Sequence, residues 1–367
     1  MRLQVIGAIA AVLFWSEPAA PEGRAASWVS IYSSNDGLTV VSPQLSTSIP
    51  IRDVLNVDVE FDADVITAAS VDLMTAASPR GYQETRHGYT LGATYHPDAE
   101  TDIGAHYIPS FEPDYESHGL TISASREWID RRLTTEIGYR LTFDAVGRSG
   151  TDSATWRSLT TNGVSLGLAW VFNPKTVGQL VYELQVHAGY QSSPYRWVPI
   201  HYFNIAGPVG APERVPEDRS RHALSGAVRR ALGGGWFGAA SLRFYVDTWG
   251  IVSHTEELDV QLSLFRSRLI FGFAARTYGQ SSASFHEYRY SASNGAIPVY
   301  RSADKMLSSS WSLLAGPRVD VGTGRVGPLD DIRGTFKVEI YDQHFFAFAP
   351  LEERRAVILS FGAAGEF

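Results

Sequence analysis

The 367-residue chain contains no cysteine. That excludes a disulfide framework, a thiolate metal site, a cysteine nucleophile and lipid attachment at an N-terminal cysteine. It has no run of lysine and arginine, and its 39 acidic residues exceed its 31 basic ones, for a net charge of −8. A nucleic-acid partner is therefore not expected. No stretch past the N-terminus approaches the roughly 20 apolar residues that a membrane-spanning helix needs. Phosphate-binding glycine loops, HExxH and CxxCH are also missing. Serine and histidine are present, but the only loose fit to a nucleophile elbow, Gly163-Val164-Ser165-Leu166-Gly167, sits inside a strand-like segment rather than at a strand-to-helix turn. No catalytic residue set, cofactor or bound haem is expected, and an outer-membrane enzyme ranks last among the readings.

What is abundant is aromatic residues, 12% of the chain, and glycine, 33 residues. At the N-terminus Arg2 precedes the uncharged, mostly apolar segment Leu3–Trp15. This fits the ~7–15-residue core of a secretory leader. Cleavage after Ala20 places Pro18 at the −3 position. Cleavage after Ala25 uses the small residues Gly23 and Ala25 but lies farther from the apolar core. Residues 1–25 are expected to be a signal peptide and 26–367 a single exported domain.

Alternation with a period of two dominates the remainder. In Gly178–Gln191, Leu180, Tyr182, Leu184, Val186 and Tyr190 share one face, and Gln179, Glu183, Gln185 and His187 share the other. Successive strand side chains point to opposite sides, whereas a helix would mix the two sets. Leu133–Phe143, Leu55–Phe61, Trp236–Val246, Leu258–Leu264 and Phe336–Ile340 repeat the pattern. A soluble sandwich also alternates. Here, however, the segments reach the ~9–11 residues of a tilted membrane strand. Aromatics also sit at the ends of the apolar faces, as at Tyr89, Tyr95, Trp170 and Phe172, and the polar faces carry both charges.

Short turns at 97–100, 173–176, 233–235 and 266–268 alternate with longer connections near 67–86, 145–160, 192–219 and 279–304. Such asymmetry is that of bacterial outer-membrane barrels, with short periplasmic turns and long extracellular loops. Placing every long loop outside yields strands near 27–34, 37–47, 53–66, 87–96, 101–110, 116–126, 132–144, 162–172, 177–190, 220–231, 236–247, 252–265, 268–278, 305–319, 333–346 and 354–367. The fold class expected is all-β: one closed antiparallel transmembrane barrel of about sixteen strands, or fourteen if the first hairpin at Asn35-Asp36-Gly37 does not form. Stretch 67–86 would be a surface loop or a partial plug. Leu359, Phe361 and Phe367, on one face of the last strand, are the expected assembly signal, to be read by the barrel-assembly machinery.

Several ordered segments resemble the domain-of-unknown-function 3570 family of Gram-negative outer-membrane proteins. They include Ser70–Ser78, Phe111–Gly119, Ser193–Pro199, Glu213–Pro216 with Arg219–His222, and Phe244–Thr255. The resemblance implies an outer-membrane β-barrel without an established activity, and it carries over no catalytic set.

The expected lumen-facing charges are Asp58, Glu60, Asp62, Asp64, Glu136, Arg140, Glu183, Arg243, Asp247, Glu257, Asp259, Arg276, Lys337 and Glu339, with Asp144 and Arg268 beside them. Two readings stand. The excess of carboxylates could favour cations in a wet lumen, or opposite charges could pair and lace the wall. Glu112, Asp114, Glu116 and His118 crowd one turn and are weak candidates for Ca²⁺, against a simple solvated turn begun by Pro113. Asp247 and His254 flank Thr248-Trp249-Gly250 and could meet, as metal ligands or, preferably, as a hydrogen-bonded corner. The function expected is a pore for small solutes in the outer membrane. The alternative is a non-conducting sleeve for an envelope or export complex, with a periplasmic or surface partner.

Overall fold

The computed structural model describes residues 23–68, 82–292, 296–326 and 329–367. Nineteen strands follow in chain order: β1 (Arg24–Ser34), β2 (Leu38–Ile51), β3 (Leu55–Ala68), β4 (Tyr82–Asp98), β5 (Thr101–Glu112), β6 (Tyr115–Trp128), β7 (Leu133–Val146), β8 (Arg157–Asn173), β9 (Thr176–Gly189), β10 (Trp197–His201), β11 (Pro208–Pro212), β12 (Asp218–Gly233), β13 (Trp236–Asp247), β14 (Val252–Leu264), β15 (Leu269–Gln280), β16 (Tyr290–Ser291), β17 (Ser310–Val326), β18 (Leu329–Phe345) and β19 (Glu353–Glu366). Sixteen of them form one closed antiparallel barrel, in which β1 pairs with both β2 and β19. Closure leaves no sheet edge, which is what a backbone in lipid requires. No described helix is long and apolar enough to cross a membrane.

Alternation produces this shape because the apolar positions need a face away from water and find it outside. Leu45, Leu91, Ile122, Ile137, Phe143, Leu168, Leu258, Phe273 and Ile340 are all exposed large hydrophobics. In a soluble sandwich the same residues would be buried between sheets. The first hairpin forms as Asp-Gly chemistry predicts, with Gly37 at φ 81°. All sixteen expected strands are present. β4 and β8 start five residues earlier than the sequence pattern suggests, and β17 starts five residues later, because residues 305–307 form a 3-10 turn instead, and ends seven later.

The short turns at 97–100, 129–132, 173–176, 233–235 and 265–268 lie on one rim, together with Gly23 and Phe367, whose backbones exchange two hydrogen bonds of 2.8 Å, while the tight turns at 35–37, 113–114 and 248–251 lie on the other. The turn after β12 has Gly233, Gly234 and Gly235 all at positive φ. The opposite rim bears the long connections. Of the expected leader, residues 1–22 lie outside the described residues, while Arg24 and Ala25 are already paired in β1. The possible plug is likewise outside them at 69–81, and its flanks belong to β3 and β4.

The long-loop rim holds structure that no alternation announces. β10 pairs with β11 antiparallel and with β16 in parallel, giving a three-stranded sheet from two separate connections. Its core is Val198, Ile200, Ala211 and Tyr290. A second cluster, Val215, Trp249, Ile251, Ala283 and Leu307, seats this cap on the turn between β13 and β14.

Candidate functional site: the lumen and its cap

Inward-facing residues are those of opposite parity to the exposed apolar set. By this rule Asp58, Glu60, Asp62 and Asp64 of β3 all face the lumen. So do Glu136, Arg140, Glu183, Arg243, Asp247, Glu257, Asp259, Arg276, Lys337 and Glu339, while Arg268 lies in a short-rim turn. Carboxylates at alternate positions of one strand are ~7 Å apart and repel. Arg86 of the neighbouring β4 relieves this by contacting Asp62 and, at 2.9 Å, Asp64. Asp58 lies 3.6 Å from His106.

Lacing continues round the wall. Arg243 contacts Glu183 at 2.5 Å, Arg276 contacts Glu257 at 3.1 Å, Lys337 contacts Glu339 at 2.7 Å and Arg318 contacts Asp320 at 3.1 Å. Among the described residues Glu60, Glu136 and Arg140 form no ion pair, and Asp259 accepts only from Gln261 at 2.5 Å. The remaining charge is unevenly placed. On β3–β7, inward carboxylates outnumber Arg86 and Arg140. On β9–β19, Arg219, Arg221, Arg229, Arg243, Arg276, Arg318, Arg333, Lys337 and Arg354 outnumber Glu183, Asp247, Glu257, Asp259, Asp320, Glu339 and Glu366. Glu136, Arg140 and Glu257 are exposed although they face inward, so water reaches them inside the barrel.

Toward the long-loop rim exposure falls. Ser310, Gln343, Phe345 and Arg354 on the inner face of β17–β19 are buried, as are Ser253 and Thr255 of β14. The segment between β16 and β17 lies over this region. Asp304 caps its 3-10 turn (Lys305–Leu307) by accepting from the Met306 amide at 2.8 Å. Gln280 donates to the Met306 and Ser308 carbonyls at 3.0 and 2.6 Å. Two buried ionic centres hold the cap. In one, Arg196 joins Glu213 at 3.2 Å and Asp304 at 3.1 Å. In the other, Asp36 of the first hairpin accepts from Arg354 Nε at 3.0 Å and lies 3.9 Å from Lys305 Nζ. Burial alone would raise the Asp36 carboxyl, but hydrogen bonds from Arg354 and Ser34 hold it below the usual carboxylate range.

His286 belongs to the cap and is bridged to Ser302. Burial, with Arg196 nearby, lowers its pKa to about 4. An undocked, solvated cap would titrate this histidine near 6.5. Between those values the undocked form binds the extra proton, so docking weakens as pH falls from 6.5 toward 4. Tryptic cleavage within 281–309 is expected to accelerate over that window in the native protein and to lose this pH dependence in His286→Gln.

Two sequence expectations are corrected. Asp247 and His254 do not meet. Asp247 faces inward with a fully buried side chain and accepts from the Trp249 and Ile251 amides at 3.0 and 2.9 Å. It does form the preferred hydrogen-bonded corner, but without His254, which shares the outward parity of Leu258 and lies 3.7 Å from Glu256. Glu112, Asp114, Glu116 and His118 do not converge either. Glu116 and His118 share the outward parity of Leu120, with His118 bonded to Glu116 at 2.8 Å and to the Tyr107 hydroxyl at 2.6 Å, whereas Glu112 faces inward. Sequence reasoning missed Arg196, Glu213, Asp304, Asp36, Lys305 and Arg354, because their partners lie on distant segments.

Comparison with known proteins agrees with this architecture. A bacterial polysaccharide outer membrane secretin superposes with a TM-score of 0.53 at 10% identity, covering 94% of this chain and 98% of that one. OccAB1 of Acinetobacter baumannii gives 0.50 at 7% identity, covering 94% and 96%. At such identities the likeness is one of fold: a barrel of the outer-membrane kind. No curated protein matches the chain. Residues 149–323, from the loop before β8 through most of β17, match the family model described as "Protein of unknown function (DUF3570)", the family that the sequence segments resemble.

Proposed function

We propose that the protein is an outer-membrane channel for small hydrophilic solutes, with cations favoured along the acidic arc of β3–β7 and the cap narrowing the extracellular mouth. In this reading the leader directs export and is removed after Ala20 rather than Ala25, since Gly23, Arg24 and Ala25 pair at the barrel rim. The barrel contacts outer-membrane lipid, Leu359, Phe361 and Phe367 engage the assembly machinery, and the long-loop rim faces outward. The observation that carries it is the wet, charged interior: a barrel meant only to be a solid scaffold has no reason to keep Glu136, Arg140 and Glu257 accessible to water. Carboxylates without local counter-charge raise the cation concentration in a confined aqueous path.

Purified protein in a planar bilayer should give discrete current steps and, in a KCl gradient, a reversal potential on the cation-selective side. Glu60→Gln combined with Glu136→Gln should move that potential toward zero. Silent bilayers would remove the channel reading. They would favour the alternative that the cap itself suggests, a non-conducting barrel that docks an envelope or export partner at its covered rim.

A further inference from the structure

We propose that Asp342, His344 and Glu353 form a divalent transition-metal site on the outer wall of the barrel at the long-loop rim. His344 and Glu353 are directly opposite in the β18–β19 ladder, and Asp342 is two residues from His344 on the same face. Side chains so related meet across a sheet. One nitrogen or oxygen from each lies within 4.8 Å of the other two, and this is the one such trio among the described residues. Only a small rotamer shift separates that spacing from ligands held about 2.0–2.2 Å from a common ion.

A second observation points the same way. Asp342 Oδ1 and Glu353 Oε1 are both withdrawn from solvent and neither accepts a hydrogen bond. Arg355 reaches them from outside, with Nε 3.9 Å from Asp342 Oδ1 and against Glu353 Oε1, and its side chain is largely exposed. The guanidinium pairs with Glu353 from outside and His344 Nε2 stands 3.5 Å from Asp342 Oδ1, so an ion would take over the carboxylates as the largely exposed Arg355 swings away into water. A cation beneath it would satisfy both oxygens at once. One imidazole with two carboxylates suits Zn²⁺ or a similar borderline ion, with a fourth position left open. The outward pairs His118–Glu116 and His254–Glu256 lack a third ligand, so the trio alone should bind tightly. Because β18 and β19 are joined by the site, an ion there would staple the last strand to its neighbour.

The site stands independently of transport. Untagged, folded protein in detergent should be titrated with ZnCl₂ by calorimetry. One saturable equivalent is expected, weakened at least tenfold by His344→Ala and by Glu353→Gln, unaffected by His254→Ala, and tightened by Arg355→Gln. Retained heat-modifiable migration on gels shows that each variant is folded. No saturable binding to the native protein, or equal binding to His344→Ala, overturns the proposal.

Discussion

Arg354→Ala should release the cap. The Arg354 and Asp36 side chains are each 2% exposed, and Lys305 completes the centre from the cap side. Truncating the arginine leaves the buried Asp36 with the Ser34 hydroxyl and, at 3.9 Å, Lys305 as its cationic neighbour. Removing one member of a buried pair typically costs about 3–5 kcal/mol, mostly because the abandoned charge stays out of water. The cap escapes that cost by undocking, since Asp36 is then solvated. A shift of even ~3 kcal/mol raises the open population by roughly two orders of magnitude. Arg301 and Lys305 are 8% and 5% exposed in the docked state, so trypsin cutting after them reports opening directly. Cleavage about 100-fold faster than native is expected, together with larger current steps. Arg354→Lys keeps the charge but loses the planar two-nitrogen contact with Asp36 and should fall between. Arg355→Ala, one residue on and facing outward, should leave cleavage unchanged. A native cleavage rate in Arg354→Ala would mean that the centre does not hold the cap.

The contrast between Arg354 and its strand marks how far the sequence could be read. β19 is legible from Val357, Leu359 and Phe361, because lipid demands an apolar residue at every second position whatever its neighbours are. Arg354 obeys the same parity, so its inward direction was readable. Its partner was not, because Asp36 is 318 positions away and meets it only when β1 closes against β19. The lumen charges behave alike: facing follows from parity, but pairing follows from register, which the turns set. Glu183 and Arg243 are 60 positions apart on strands that are not even adjacent. The cap was least legible. β10 is five residues with a central Pro199, a segment held by Tyr290 and Ala211 rather than by its own pattern. The misplaced Asp247–His254 contact was avoidable, since Asp247 continues the inward parity of Arg243 and Tyr245 while His254 precedes Leu258 and Val260 on the outward one.

Asp247 itself carries the other large effect. Its Oδ1 accepts from two amides of the turn, and its Oδ2 accepts from Arg219 Nε at 2.9 Å and the Tyr245 hydroxyl at 2.7 Å. Arg219 in turn lies 4.0 Å over the Trp249 ring, the base on which Ala283 and Leu307 of the cap rest. Asp247→Ala therefore strands a buried guanidinium and two amides together, at a cost of about 3–5 kcal/mol. Asp247→Asn keeps an acceptor for the amides but turns an NH₂ or a neutral oxygen toward Arg219, so the midpoints of urea unfolding should fall in the order native, Asn, Ala. In the double variant with Arg219→Ala the stranded charge is gone, and the loss should be smaller than the sum of the two single losses. Simple additivity would show that Asp247 supports only its turn. Sub-additivity, with cap cleavage accelerated in Asp247→Ala, would place one carboxylate in command of both the corner and the lid that rests on it.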